Sequence, residues 1–258
     1  MKRTAARTTR RTILITGASA GLGEQMARDF AALGRDLALC ARRTDRLERL
    51  REELLARHPD RRVTVHALDV NDHERVFEVF RSWEAELGTL DRVIVNAGLG
   101  QGRPVGTGGF EETLRTVHTN FTAALAQCEA AMELFRARGA GHLVVISSMT
   151  AMRGMAGHLA AYAASKAGVS VLAEGIRAEM IGTPIAVTTI HPGYIASELN
   201  NRRVGWTTLT ASTEKGVRAM VRAIEAERAE AAVPPWPWTP IGFAMRHLPL
   251  RLVSRGDR

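Results

Sequence analysis

The sequence predicts a single α/β domain with a doubly wound parallel sheet of six to seven strands. Short apolar runs alternate with helix-patterned segments between residues 12 and 233. A helix between two strands returns the chain to the same edge of the sheet, which pairs the strands in parallel. The runs are apolar at successive rather than alternate positions, the pattern of strands covered by helices on both faces. A glycine-rich turn sits directly between the first strand and the first helix, at the edge where doubly wound sheets bind ligands.

TILIT (12–16) is a compact buried strand, and helix-patterned sequence follows from Leu22 to about Leu33, stopping at Gly34. DLALCA (36–41) is the second strand. TDRLERLREELLAR (44–57) is a helix with Leu47, Leu50 and Leu54 on one face, ended by Pro59. VTVHAL (63–68) is the third strand, residues 72–87 a helix ended by Gly88, and RVIVN (92–96) the fourth strand. A long helix is expected over 111–138, stopping at Gly139, then a strand at HLVVIS (142–147) and a helix over 158–181. IAVTTI (185–190) is the sixth strand, residues 212–230 a last helix, and AAV (231–233) a short seventh strand. The domain is therefore drawn over 11–233, between a basic disordered tail at 1–10 and an apolar, basic extension at 234–258.

The chain of 258 residues carries 35 Lys and Arg against 27 Asp and Glu, a formal charge of +8. Residues 1–11 hold five bases and no acid, and residues 246–258 hold four bases against Asp257, which leaves 26 of each sign between them. A neutral body with basic ends argues against nucleic acid as a partner. No apolar run approaches the ~20 residues of a membrane span, and the basic N-terminus lacks the apolar stretch of a signal peptide. The two cysteines, Cys40 and Cys128, make neither a disulfide framework nor a metal cluster. A cytoplasmic location is expected. Lysine and tyrosine are scarce: Lys2, Lys166 and Lys215, and Tyr162 and Tyr194, are all there are.

The turn Gly17-Ala18-Ser19-Ala20-Gly21-Leu22-Gly23 leads from strand to helix. Its glycines let backbone approach a ligand closely, and the helix N-terminus offers free N–H groups to a pyrophosphate. The second strand ends in Ala41-Arg42-Arg43. A dinucleotide site selective for NAD has an acid there for the ribose 2′-hydroxyl, whereas a 2′-phosphate calls for a cation. Arg42, with Ser19 and Arg43, therefore favours NADP(H) over NAD(H). Asp69, followed by Val70, closes the third strand, placed either to accept from an adenine amino group or to cap the next helix.

Tyr162-Ala163-Ala164-Ser165-Lys166 sets both scarce residue types four apart on one helical face. An ammonium beside a phenol favours phenolate and makes the tyrosine a usable general acid/base. Ser148, just beyond the fifth strand, is placed to hydrogen-bond a substrate oxygen; Ser147, the alternative, points the other way. Asn96 ends a strand, and Asn120 is a polar residue within a long helix.

TGASAGLG (16–23), NAG (96–98), Asn120, Ser147-Ser148, YAASK (162–166) and PG (192–193) stand in an order that resembles the short single-domain branch of the short-chain dehydrogenase/reductases. The resemblance spans roughly 11–233. It implies a Rossmann-like sheet of order 3-2-1-4-5-6-7 and hydride transfer between a nicotinamide and a carbonyl or secondary alcohol. Tyr162 would be the proton donor or acceptor. Lys166 would hold the nicotinamide ribose, Ser148 would polarise the carbonyl, and Asn120 would hold a water in a proton relay. Asn96, Ala97, Gly98, Pro192, Gly193 and Ile195 would line the cofactor, with Ser197 where the family has threonine. A homo-oligomer, dimer or tetramer, is implied. Val95 replaces the first asparagine of the family's NNAG, Ala20 replaces its second NADP-selecting base, and Ser148 to Tyr162 spans one residue more than usual. A non-catalytic NADP-binding sensor or scaffold is the alternative, and the intact catalytic set argues against it.

Segments 99–109, 149–161 and 194–211 are expected around the substrate, with Met149, Met152 and Met155 as an adaptable apolar wall. Beyond Val233 the apolar, proline-broken extension suits packing or a subunit contact, a membrane surface, or a cover over the pocket. An apolar, lipid-like or mixed small-molecule carbonyl or alcohol is the expected substrate.

Overall fold

A computed structural model describes residues 10–196 and 209–253. Seven strands, β1 (Thr12–Thr16), β2 (Asp36–Ala41), β3 (Val63–Ala67), β4 (Arg92–Val95), β5 (Gly141–Ile146), β6 (Ile185–Pro192) and β7 (Glu230–Val233), form one sheet in the order 3-2-1-4-5-6-7. Every pairing is parallel. Helices α1 (Gly21–Ala32), α2 (Thr44–Arg57) and α7 (Thr213–Glu225) cover one face; α3 (His73–Leu87), α5 (Ala123–Arg138) and α6 (Ala160–Glu179) cover the other. The uniformly apolar strands follow from this: Leu14, Val93 and Leu143 pack on α3, α5 and α6, while Ile13, Ile15, Ile94 and Val144 pack on α1, α2 and α7. Local signals stop and start the helices. Asp72 accepts a hydrogen bond from the Arg75 amide at 3.1 Å to open α3, Ser212 accepts from the Lys215 amide to open α7, and Gly139 (φ 70°) ends α5.

Three expectations need correction. The helix expected over 111–138 is two helices, α4 (Phe110–Val117) and α5, joined by a π-helical turn at His118–Thr122. One extra residue in a turn leaves the apolar spacing on either side intact, so periodicity does not reveal it. The helix expected over 212–230 ends at Glu225, because Glu227 takes a positive φ of 47° and Glu230 enters β7 opposite Thr189. Beyond Val233, where no secondary structure is assigned from the sequence, the chain is helical: α8 (Pro235–His247), kinked at Trp236, and α9 (Leu250–Val253). Arg10, counted with the tail, is buried and ion-paired to Glu227 at 2.9 Å.

At the amino ends of the strands, Asp36 is buried and bridged to Arg62 at 3.2 Å, far from the ligand edge. There too the fully buried Arg92 is paired to Glu225, which also receives Arg35 at 2.6 Å. No helix among the described residues is long and apolar enough to cross a membrane.

Candidate active site

A cavity of about 610 Å³ opens along the carboxyl ends of β1, β2, β4, β5 and β6. Its first half is built from the glycine turn. Gly17 holds φ 66°, and a Cβ there would stand 2.9 Å from the Ala97 Cα; a Cβ on Gly23 would stand 2.5 Å from the Gly17 carbonyl. Only glycine lets these backbones close together and leave the floor open. Asn96 fixes the turn, its side-chain amide donating to the Thr16 carbonyl at 2.8 Å, while the Thr16 hydroxyl accepts from the Asn96 and Ala97 amides. Ser19, Ala20, Gly21, Leu22, Ala97, Gly98 and Val70 line the same half. The Arg42 side chain is 66% exposed at the rim, 3.8 Å from Asp69, and Arg43 Nε donates to Ser19 Oγ at 3.3 Å. Asp69 accepts from the amide and side chain of Asn71 and leaves the helix cap to Asp72.

Tyr162, Lys166, Ser148 and Asn120 are all buried; the first three line the second half of the cavity, and Asn120 stands just behind its wall. Tyr162 and Lys166 lie on the first two turns of α6. Lys166 Nζ donates to the Ile146 carbonyl at 2.8 Å, and a Cβ on Gly98 would come within 3.5 Å of it. Burial pushes the Lys166 ammonium down to about 8. Ser148 Oγ accepts from the Thr150 amide at 3.2 Å and lies 2.9 Å from the Thr150 hydroxyl, while the Ser148 carbonyl lies 3.3 Å from His191 Nδ1. Ser147 points away, donating to the Lys166 carbonyl at 2.9 Å.

Asn120 is buried, in the π turn. Its Oδ1 accepts from the Leu99 amide at 2.7 Å, its Nδ2 donates to the Leu99 carbonyl at 2.8 Å, and a Cβ on Gly98 would stand 3.1 Å from Oδ1. The side chain thus ties the turn to the loop after β4.

Pro192, Gly193 and Ile195 line the cavity at the end of β6. Ser197, and with it Asn200, Asn201, Arg202, Arg203 and Trp206, lies outside the described residues. Met149 and Met155 form part of the wall as expected, whereas Met152 packs under the C-terminal helix. Tyr194 belongs to segment 194–211, expected around the substrate, and Trp238, Ile241 and Met245 to the extension, for which a cover over the pocket is one of three readings; all four line the cavity.

The buried lysine predicts a measurable strain. Its folded value lies below the ~10.4 of an unfolded lysine, so the unfolded chain holds more protons between about pH 8 and 10.4. Stability is expected to rise with pH across that window, and the cost is fully present below it. Lys166→Met is expected to raise Tm at pH 7 while removing activity; an unchanged or lower Tm contradicts the cost.

Fold and crevice define a doubly wound α/β nucleotide-binding protein. A model of the short chain dehydrogenase family matches residues 11–208, and the chain belongs to that family of nicotinamide-dependent oxidoreductases. It is 54% identical over 247 residues to an uncharacterized oxidoreductase of Mycobacterium tuberculosis, covering 96% of this chain and 97% of that one. Among solved structures it is similar to levodione reductase (26% identity, TM-score 0.78, 88% and 95% of the two chains). It is also similar to an alcohol dehydrogenase of the archaeon Thermococcus sibiricus in complex with 5-hydroxy-NADP (25% identity, TM-score 0.77, 86% and 95%).

Proposed function

We propose that the chain is an NADP(H)-dependent oxidoreductase interconverting a carbonyl and a secondary alcohol, with Tyr162 as general acid/base. One observation carries this reading: Tyr162, Lys166 and Ser148 meet, buried, in a cavity whose other arm is walled by the glycine turn and ends at two arginines. The residues present fit a nicotinamide dinucleotide phosphate. Side chains are missing at Gly17 and Gly23 where a pyrophosphate needs backbone, and Arg42, Arg43 and Ser19 stand where a 2′-phosphate needs cations and a hydroxyl. Asp69 and Val70 would flank the adenine, and Lys166 would hold the nicotinamide ribose. When bound, the nicotinamide supplies or takes up the hydride.

The chain's own residues handle the oxygen and its proton. In reduction the Tyr162 hydroxyl donates its proton to the carbonyl oxygen, and the Ser148 hydroxyl donates a hydrogen bond to the same oxygen. The Lys166 ammonium favours the phenolate that Tyr162 leaves behind. The Asn120 side chain is engaged with Leu99, and in this reading Asn120 would hold a water that links Lys166 to a proton relay.

The cofactor preference has its own test. Arg42→Ala with Arg43→Ala is expected to weaken NADPH binding roughly 10–100-fold, the worth of one or two charged hydrogen bonds, and to leave NADH binding within about twofold. Titration of nicotinamide fluorescence reads both constants, and equal losses for the two cofactors would refute the assignment.

The reading extends to a cytoplasmic homo-oligomer, for which Leu125 on α5 and Val171 on α6 offer exposed apolar surface. A membrane contact of the C-terminal segment would rest on exposed Trp236, Phe243 and Leu250 beside Arg246 and Arg251, and failure of the full chain to bind anionic vesicles removes it.

A further inference from the structure

The cavity has a wall that the chemistry above does not use. α8 presents Trp238, Ile241 and Met245 to it, residues at i, i+3 and i+7 on one helical face. Trp238 is buried, and its indole fills the space a side chain on Gly193 would take: a Cβ there would stand 2.1 Å from the ring. The ring meets Tyr194 edge-on, with centroids 5.3 Å apart and planes at 76°. Its Nε1–H is buried with no hydrogen-bond partner among the described residues, so packing alone would be better served by an apolar ring.

The wall is fixed relative to the catalytic serine. Ser148 opens the short turn Met149–Met152, and α8 rests on that turn. A Cβ on Gly242 would stand 2.7 Å from Met149 Cε, and Arg246 lies against Met152 with Nε 3.0 Å from Sδ. Arg153 donates to the Arg246 carbonyl at 3.3 Å. The distance from Ser148 to the indole is thereby set by packing. The charged groups lining the cavity among the described residues are Arg42, Arg43, Asp69 and Lys166, all in the nucleotide arm or the catalytic pair.

We propose that Trp238 is a specificity-determining residue: its indole, held between Gly193 and Tyr194, sets the size limit of an apolar ketone or secondary alcohol whose hydrocarbon or aromatic body lies against α8. This rests on the reading of the chain as an NADP(H)-dependent carbonyl reductase. Removing the indole lengthens the space beyond the carbonyl subsite. Phenylalanine keeps a six-membered ring there and loses the fused pyrrole with its unpaired donor, a much smaller change in volume than alanine. Tryptophan in place of Ile241, on the same face, shortens the space.

The test measures kcat/KM with NADPH for acetophenone, 2-acetonaphthalene and 4-acetylbenzoate, alongside NADPH affinity by fluorescence. The wild type is expected to favour acetophenone over 4-acetylbenzoate by about tenfold or more, the scale on which a hydrocarbon pocket discriminates. Trp238→Ala is expected to raise the ratio of 2-acetonaphthalene to acetophenone about tenfold, Trp238→Phe to leave it within about threefold, and Ile241→Trp to lower it, all with NADPH affinity unchanged. Ratios that do not move in Trp238→Ala and Ile241→Trp overturn the proposal while NADPH binding stands. So does a preference for the carboxylate, or no reduction of any of the three ketones by an enzyme that binds NADPH. A wild type that does not bind NADPH overturns the underlying reading and this assignment with it.

Discussion

Tyr162→Phe is expected to lower kcat by about 10³-fold, within the range a positioned general acid contributes, with the NADPH dissociation constant and Tm nearly unchanged. The phenol is buried on a helix whose first turns also carry Lys166, so deleting one oxygen removes the proton without disturbing the wall around it. A binding contribution alone would appear in KM and leave kcat intact. Activity within about tenfold of wild type would remove Tyr162 from the acid/base role and return the choice of proton donor to Ser148 or a water.

Glu225→Gln is expected to cost about 3–5 kcal/mol of stability, the penalty for leaving a buried charge without its partner, and to lower Tm by roughly 10 °C. Arg92 is 1% exposed, wedged between the Phe30 ring and His142, with Nε donating to His142 Nδ1 at 2.9 Å. Glu225 is its counter-ion and that of Arg35. Burial raises the Glu225 pKa, but the Arg35 hydrogen bond and the charge of Arg92 outweigh it and hold the carboxyl below its ordinary value. The stabilisation is therefore complete above an unfolded value of ~4.3 and is lost as pH falls through the lower folded value. Wild type and variant should differ most near neutrality and converge in acid. Equal Tm values at pH 7 would mean that the buried network contributes no net stability.

The strands and their order were legible because burial on both faces leaves unbroken apolar runs such as ILI and LALCA, and because helices between them force parallel pairing. The Tyr162–Lys166 pair was legible for a different reason: two scarce residue types stand at a spacing only a helix brings together. Asn120 was legible as a motif residue, but the π turn in which it is buried was not, since such a turn adds a residue without altering the flanking pattern. The end of the last long helix was misread because Ala and Glu in 226–231 favour helix locally, while Glu225 is held by two arginines and Glu230 is claimed by the sheet. Trp238 was visible as an apolar residue in a tail, but its place against Gly193 joins the end of β6 to a helix more than forty residues later in the chain. That is a tertiary fact with no local signature.

The central claim is that this chain moves a hydride between a nicotinamide and a carbon whose oxygen Tyr162 protonates. Incubation with acetophenone and NADPH carrying deuterium at both C4 positions, followed by mass spectrometry of the alcohol, tests it most directly. The account predicts alcohol one mass unit heavier from the wild type and none above background from Tyr162→Phe. Alcohol without the label, or equal labelled product from both proteins, would contradict it.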